Sequence, residues 1–502
     1  MESKLLMPME LSEFKRLGPN LPTTQIDIPE KAENRVPTDR PFLFAFAASV
    51  ILLMPLLIYT LTYADVRRLS GQIDDCGNIC GEKNVKYEQW NCTGQDFTNK
   101  RNFRMYPSNK CMDDCDLGIG YREESGECIT NSTTVVTQMD IGSYMLKGSV
   151  IFRLLICSLI AVGASVFVLY IFRYNVGFVL WGMIGTVFVL GVIIVGIMWS
   201  NRAYFLANYG DFGLAGCLIC TVLLALYVVG VYLLRERIAL VIVILTEAAK
   251  ALFAMPSLVL VSFTTFFKEA VIFTLFLTTA IYMSTSGELV EIEPGRLQYE
   301  TTGTMATAGL FNVLITAWAL MFVGGLQCMV VGGAVSEWYF ANDKTRLEQP
   351  VKKSAVIALK FHLGTVAFGS LIILLAYLVR KIIQGALKSS FIKKCIEFCL
   401  SSMDGMLRCI TKKAFIITAM HGQPFLGSGR RAVSLIAYNL GNVVAISVLG
   451  RLTLCVGMLL IALISVVMSS LLFIPAAGVK KQNHGDLEAA QLFNMSQITC
   501  FC

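Results

Sequence analysis

Uncharged apolar runs long enough to cross a membrane recur along this sequence: 41–63, 154–172, 176–199, 212–234, 306–336, 361–379 and 452–474. A helix needs about 20 apolar residues to cross about 30 Å of hydrocarbon, and in that medium the backbone must satisfy its own hydrogen bonds. The chain is 55% hydrophobic and 15% charged, against roughly 25% charge in a soluble domain. These features specify an all-α polytopic membrane protein. The forty largely polar residues before the first run make that run a retained span rather than a signal peptide. A net charge of +7 carries no nucleic-acid signal, because the basic residues sit in short connections beside the spans. The closing Cys-Phe-Cys resembles a prenylation tail, which belongs on soluble proteins and is set aside.

Between the first two runs lies a polar segment, 64–147, with Cys76, Cys80, Cys92, Cys111, Cys115 and Cys128. It also carries glycosylation sequons at Asn91 and Asn131 and contains no histidine. Sequons and an even cysteine count belong to the oxidising side of a membrane, whereas a metal site would need histidines or a tighter second pair. The segment is therefore expected to be an extracellular, glycosylated, disulfide-bonded loop, with the N-terminal tail 1–40 cytosolic; fifteen pairings of six cysteines stay open. No metal and no cofactor is expected.

With that loop outside, the basic connections at Arg173, Arg235–Arg237 and 344–360 fall inside, and the acidic segment 288–300 falls outside. The interval 238–284 must then cross once. Glu247, Lys250 and Pro256 interrupt its first part, so 238–253 reads as a helix along the inner interface and 257–284 as the crossing. Lys268 and Glu269 lie within that crossing, where ionisable groups face a cavity or a partner, or sit at a wetted level without chemical work. Residues 380–413 combine eight basic residues with apolar residues at helical spacing. They read as an amphipathic helix against anionic lipid headgroups, on a side the sequence leaves open.

Several stretches resemble the choline transporter-like family of solute carriers: GNICGEKN (77–84), YIFRY (170–174), VLW (179–181), LQY (297–299), LQCMVVGGAVSEWYFANDK (326–344), FHLGTVAFGSLI (361–372) and FIITAMHGQPF (415–425). They occur in family order over about residues 65–475. The resemblance implies ten spans with both termini cytosolic and a large glycosylated, disulfide-bonded first loop. For this chain, whose first loop is short for the family, the expectation is about nine to ten transmembrane helices, a polytopic core over 148–475, and a small disulfide-bonded extracellular domain between the first two helices. The resemblance also implies transport of choline, ethanolamine or a related amine by a secondary carrier that supplies phospholipid synthesis. The implied location is the plasma membrane, with a mitochondrial or other internal membrane as the alternative. The sequence departs from the family after 452–474, where the polar tail 476–502 stands in place of a further span, and in having Glu300–Gly303 after LQY.

A quaternary ammonium cannot donate a hydrogen bond through nitrogen, so its natural site is a cage of aromatic faces near the bilayer midplane. Trp318 lies deep in its run with Phe322 one turn on, and Tyr227 is similarly deep; Tyr282 is a rim candidate. For any one of them the alternative, a packing aromatic, is the commoner role. Gly324-Gly325 and Gly332-Gly333 suit close helix approach or a hinge. His362 opens a span and is either a proton relay or a buried hydrogen-bonding residue. With three histidines and no nucleophile elbow or phosphate loop, no enzyme constellation emerges. The competing readings are a non-transporting scaffold or receptor and, less favoured, a membrane lipid enzyme.

Overall fold

A computed structural model describes residues 32–104, 109–113, 121–124, 127–130, 148–209, 211–344, 347–386 and 390–473. Cys115, Asn131 and the tail 476–502 lie outside the described residues. The helices are α1 (Arg40–Thr62), α2 (Gly148–Ser200), α3 (Arg202–Tyr209), α4 (Asp211–Ala254), α5 (Ser257–Ser284), α6 (Gly303–Phe340), α7 (Pro350–Phe361), α8 (Leu363–Ala386), α9 (Ser390–His421), α10 (Phe425–Tyr438) and α11 (Leu440–Phe473). Seven of the described helical segments are long and apolar enough to cross a membrane: 40–62, 174–200, 213–254, 257–284, 303–340, 363–385 and 440–468. The expectation of nine to ten is met by length and composition for seven. The segment 156–171 is apolar but short, and α9 spans 32 residues yet carries Lys394, Glu397, Asp404, Arg408, Lys412 and Lys413.

Backbone chemistry explains the boundaries. Pro256 lacks an amide proton and separates α4 from α5. Asn175 leaves helical geometry (φ −132°, ψ 32°) and kinks α2 between its two apolar halves. Thr302 begins α6, its hydroxyl accepting the Met305 amide. Within the spans, many hydroxyls return to carbonyls one turn back, as Thr60 does to Leu57 and Thr265 to Val261, which satisfies those hydroxyls inside the helix itself.

The chain divides into two compact units. In one, α2, α4 and α11 pack together, with Leu180, Ile238 and Val241 at the core. Residues 238–253 here continue α4 without a break, and no turn forms at Arg235–Arg237. The charges are accommodated on the helix: Arg237 donates to Asn442 of α11, and Lys250 pairs with Glu247 at 2.8 Å.

In the other unit, α6 is the central helix, contacted by α1, α5, α7, α8 and α9. The expected glycine function is visible as close approach. A Cβ on Gly325 would stand 3.0 Å from Phe415 and 3.1 Å from Val366, one on Gly332 would meet Ile416 at 2.9 Å, and one on Gly333 would overlap Ser354. Residues 380–413 are not one helix: they comprise the end of α8 and the first three-quarters of α9, which packs back along α8, joined by the Arg380–Asp404 pair at 3.5 Å.

The loop after α1 belongs to this unit. Cys76–Cys92 and Cys80–Cys111 are bonded, with Cα separations of 5.8 and 5.3 Å, and Cys128 is also disulfide-bonded. Short strands β1 (Asn102–Arg104), β2 (Lys110–Met112), β3 (Tyr121–Glu124) and β4 (Glu127–Thr130) form a sheet in the order β2-β1-β4-β3. The hairpin β5 (Glu288–Glu293) and β6 (Arg296–Glu300) turns at Pro294-Gly295, with Gly295 at φ 84°. It rests on the loop: the Leu297 amide donates to Asp75 (2.7 Å), and the Tyr299 hydroxyl donates to the Gly77 carbonyl (3.0 Å). Arg68 lies 3.7 Å over the Tyr299 ring, and burial pushes the Tyr299 phenol up to about 12. The GNICG and LQY stretches thus touch at one end of the unit.

Candidate functional site

At the opposite end of α1, five residues meet four helix ends. Arg35 is 7% and Thr38 6% exposed, although both precede the first helix. Arg35 Nη2 donates to the Ala419 and Met420 carbonyls at 2.8 and 3.1 Å, two of the last acceptors of α9 that the helix leaves unpaired. The Thr38 amide donates to Phe361 at the end of α7 (2.9 Å). Asp39 Oδ2 accepts the Phe425 amide at the start of α10 (2.8 Å) and the Thr365 hydroxyl of α8 (2.7 Å). A cation at a helix C-terminus and an anion at a helix N-terminus both complement the macrodipole.

His362, fully buried at the break between α7 and α8, sits within this arrangement. Its Nε2 is 3.4 Å from Arg35 Nη1 and its Nδ1 is 2.9 Å from Thr38 Oγ1. A guanidinium only donates, so Nε2 accepts and Nδ1 carries the proton. Nδ1–H then donates to Thr38, Thr38 donates to Thr365 at 2.7 Å, and Thr365 donates to Asp39. Burial and the Arg35 charge hold the imidazole down at about 4, so it is neutral at physiological pH. Gly364 fits only without a side chain, because a Cβ there would overlap the Thr38 and Asp39 carbonyl oxygens. Asp39 itself is left-handed (φ 52°), a conformation Asp tolerates better than most residues.

Two turns into α1 and α8 lies an aromatic group. Phe42 stacks on Phe368 with centroids 3.8 Å apart. Phe46 stacks on Phe322 (4.8 Å, 14° between planes) and meets Trp318 in a T-shaped contact at 5.0 Å. Trp318 is 7% exposed, and its Nε1 donates to Ser370 Oγ (3.1 Å) and the Ala367 carbonyl (3.2 Å). Half a turn beyond Phe322, Gly324 faces α5, where a Cβ would lie 3.8 Å from Glu269 Oε1. Glu269 is half-buried and has no hydrogen-bond or ion-pair partner among the described residues; Lys268 is exposed.

Of the residues singled out from sequence, Trp318 and Phe322 share this group, and Glu269 stands on the neighbouring helix. Tyr282 is not with them. The Asn312–Thr279 hydrogen bond (2.9 Å) sets the register of α5 on α6 and leaves Tyr282 toward the disulfide loop, roughly 13 Å of helix rise from Trp318. Tyr227 belongs to the other unit, where its hydroxyl donates to the Ile184 carbonyl at 2.9 Å. His362 is fixed in a hydrogen-bonded chain. Sequence reasoning passed over Phe46, Arg35, Thr38 and Asp39. Phe46 gives no signal inside an apolar run, whereas Asp39 before Arg40-Pro41 has the form of a helix start.

The sequence model of the family described as plasma-membrane choline transporter matches residues 218–498. Choline transporter-like protein 1 of Rattus norvegicus is 30% identical over 239 residues, covering 45% of this chain and 36% of that protein. Choline transporter-like protein 2 of Danio rerio is 26% identical over 378 residues, 61% of this chain and 54% of its own length. Choline transporter-like protein 3 of Bos taurus is 24% identical over 259 residues, 50% of this chain and 40% of its own. The matched region thus spans a third to a half of these relatives. The chain belongs to the choline transporter-like family of integral, multi-pass membrane proteins.

Proposed function

We propose that this family member carries choline or a related amine across the plasma membrane as a secondary carrier, and that the cation is received by the rings of Trp318 and Phe322. The observation that carries the reading is the juxtaposition of these two rings around Phe46, midway along the central helix. Aromatic faces attract a cation that cannot be hydrogen-bonded through nitrogen, with roughly 0.5–2 kcal/mol per contact. Glu269 supplies the compensating charge: a carboxylate inside a span without a partner among the described residues is costly unless a cation visits it. Tyr282 would serve the loop-side approach, and Tyr227 supports its own unit through Ile184. His362, neutral and internally bonded, serves position rather than proton relay.

The test is uptake of radiolabelled choline into proteoliposomes holding the full chain. Saturable uptake above that of protein-free vesicles supports the reading, and competition by ethanolamine orders the two substrates. Uptake equal to protein-free vesicles overturns it. The aromatic group would then be a packing core, as expected of a scaffold or receptor.

A further inference from the structure

We propose that Arg35–Asp39 is a latch: it holds the first turns of α1 in place, keeps Phe46 seated on Phe322 and Trp318, and uncovers those rings when it releases. Three features of this unit lead there. The segment bonds to the ends of α7, α9 and α10 and to the first turn of α8, yet its residues Val36 and Pro37 are exposed. Its attachments are directional hydrogen bonds rather than apolar packing, so opening uncovers little apolar surface. Second, α1 is otherwise lightly held: Leu53 and Thr60 are its buried residues among 23. Its placement at this end therefore falls to the latch, to Phe42 on Phe368 and to Phe46 itself. Third, both strands of the connection are short. Asp39 and Phe46 are separated by two helical turns of α1, and Thr365 and Ser370 by less than two turns of α8. Displacing Asp39 moves Phe46, and displacing Thr365 moves the Ser370 hydroxyl that holds the indole.

Asp39 also occupies left-handed backbone, which persists where the surroundings over-determine it. Here the Phe425 amide, the Thr365 hydroxyl and the bare Cα of Gly364 do so. Loss of any one returns the segment to ordinary extended geometry and detaches α1 from α8. The latch depends on the cation-site reading only for what enters after the rings are uncovered.

Two measurements on the full chain test it. In hydrogen–deuterium exchange, Arg35→Gln and Thr365→Val should each accelerate exchange about tenfold or more in peptides covering 40–46, 363–370 and 425–430. The disulfide loop and α5 should keep wild-type rates. Unchanged rates, or equal acceleration everywhere, overturn the latch. The second arm closes it. The Thr38 and Thr365 hydroxyls are 2.7 Å apart, near the about 2.05 Å of a disulfide, so Thr38→Cys with Thr365→Cys can be cross-linked. Oxidation should lower choline uptake about tenfold or more and reduction should restore it, while the same treatment of the unsubstituted protein changes nothing. Undiminished uptake with the cross-link confirmed by mass spectrometry overturns the latch. If the unsubstituted protein takes up no choline, the transport reading falls, and the exchange measurement alone decides the latch.

Discussion

Arg35 and His362 are 327 positions apart and 3.4 Å from each other, and the guanidinium dictates the state of the ring. A positive donor that cannot accept fixes Nε2 as the acceptor, directs Nδ1–H to Thr38, and leaves no room for a second proton. The charge that faces the imidazole is that of Arg35; Asp39 reaches it only through Thr365 and Thr38.

This relationship predicts the direction of acid sensitivity. The His362 pKa is about 4 in the folded chain, below its ordinary 6.5. The unfolded state therefore binds the proton first, and stability present above about 6.5 is lost as pH falls toward 4. The full loss is about 3 kcal/mol. Melting temperatures in detergent from pH 8 to 4.5 should fall more steeply for the wild type than for His362→Gln, which cannot titrate. Parallel curves for the two proteins would contradict a buried neutral imidazole.

Two glycines of α8 should respond oppositely to the same change. Gly364→Ala places a methyl group on the Thr38 and Asp39 carbonyls, and overpacking of this kind costs about 1–3 kcal/mol. Gly385 has nothing within 4 Å of the position a Cβ would take, so Gly385→Ala should be neutral or raise stability by up to about 1 kcal/mol through helix propensity. Thermal melts of both variants beside the wild type check the pair. A harmless Gly364→Ala would mean that the Arg35–Asp39 segment is not seated against α8.

The loop predicts an order of events at Asn91. The side chain is exposed, but the hydroxyl that completes its sequon is not: Thr93 is 4% exposed, donates to Trp90 (2.8 Å) and accepts the Tyr87 amide (2.9 Å). Cys92 between them is bonded to Cys76. Any glycan at Asn91 would therefore have to be added before this turn closes. Glycosidase-sensitive occupancy at Asn91 should rise in Cys76→Ser or under mild reductant during synthesis, with Asn91→Gln as the blank. Occupancy that ignores the disulfide would show that the turn forms late or opens freely.

How much of this was legible beforehand follows from the range of the interactions. The long helices and the Pro256 boundary can be read because apolar length and a missing amide proton act locally. The cysteine framework is readable as a count, but its pairing depends on the folded turn around Asn78, whose side chain holds Asp74, Cys92 and Gly94. Charges in helices mislead: Arg235–Arg237 resembles a turn only until Asn442 is brought to Arg237. The same holds for 380–413, where Asp404 of α9 joins the two helices through Arg380 of α8 and pairs with Arg408 one turn on along its own helix. Arg35 reads as one more basic residue beside a span, because its partners lie more than 300 positions away. Trp318 and Phe322 were legible as a pair one turn apart, whereas Phe46, which joins them, comes from another helix.

The aromatic pair yields the last prediction. Trp318 does two things, and substitutions can separate them. Its ring face would attract a cation, and its Nε1 anchors α6 to Ser370 and Ala367 on α8. Ser370→Ala removes the hydroxyl anchor and keeps the ring, so choline half-saturation should change little. Trp318→Leu removes the face as well, and affinity should fall by about 1–2 kcal/mol, roughly five- to thirty-fold. Trp318→Phe should fall between them, since phenylalanine retains a weaker π-face but cannot donate. Glu269→Gln keeps shape and hydrogen bonding while removing the charge, so it should weaken choline without altering the melting temperature by more than a few degrees, the residue having no partner to lose among the described residues. Concentration-dependent uptake by the four variants, each normalised to reconstituted protein, orders them. If Ser370→Ala costs as much as Trp318→Leu, the indole acts through its anchor and not its face, and the cation site must be sought on the Glu269 side of α6.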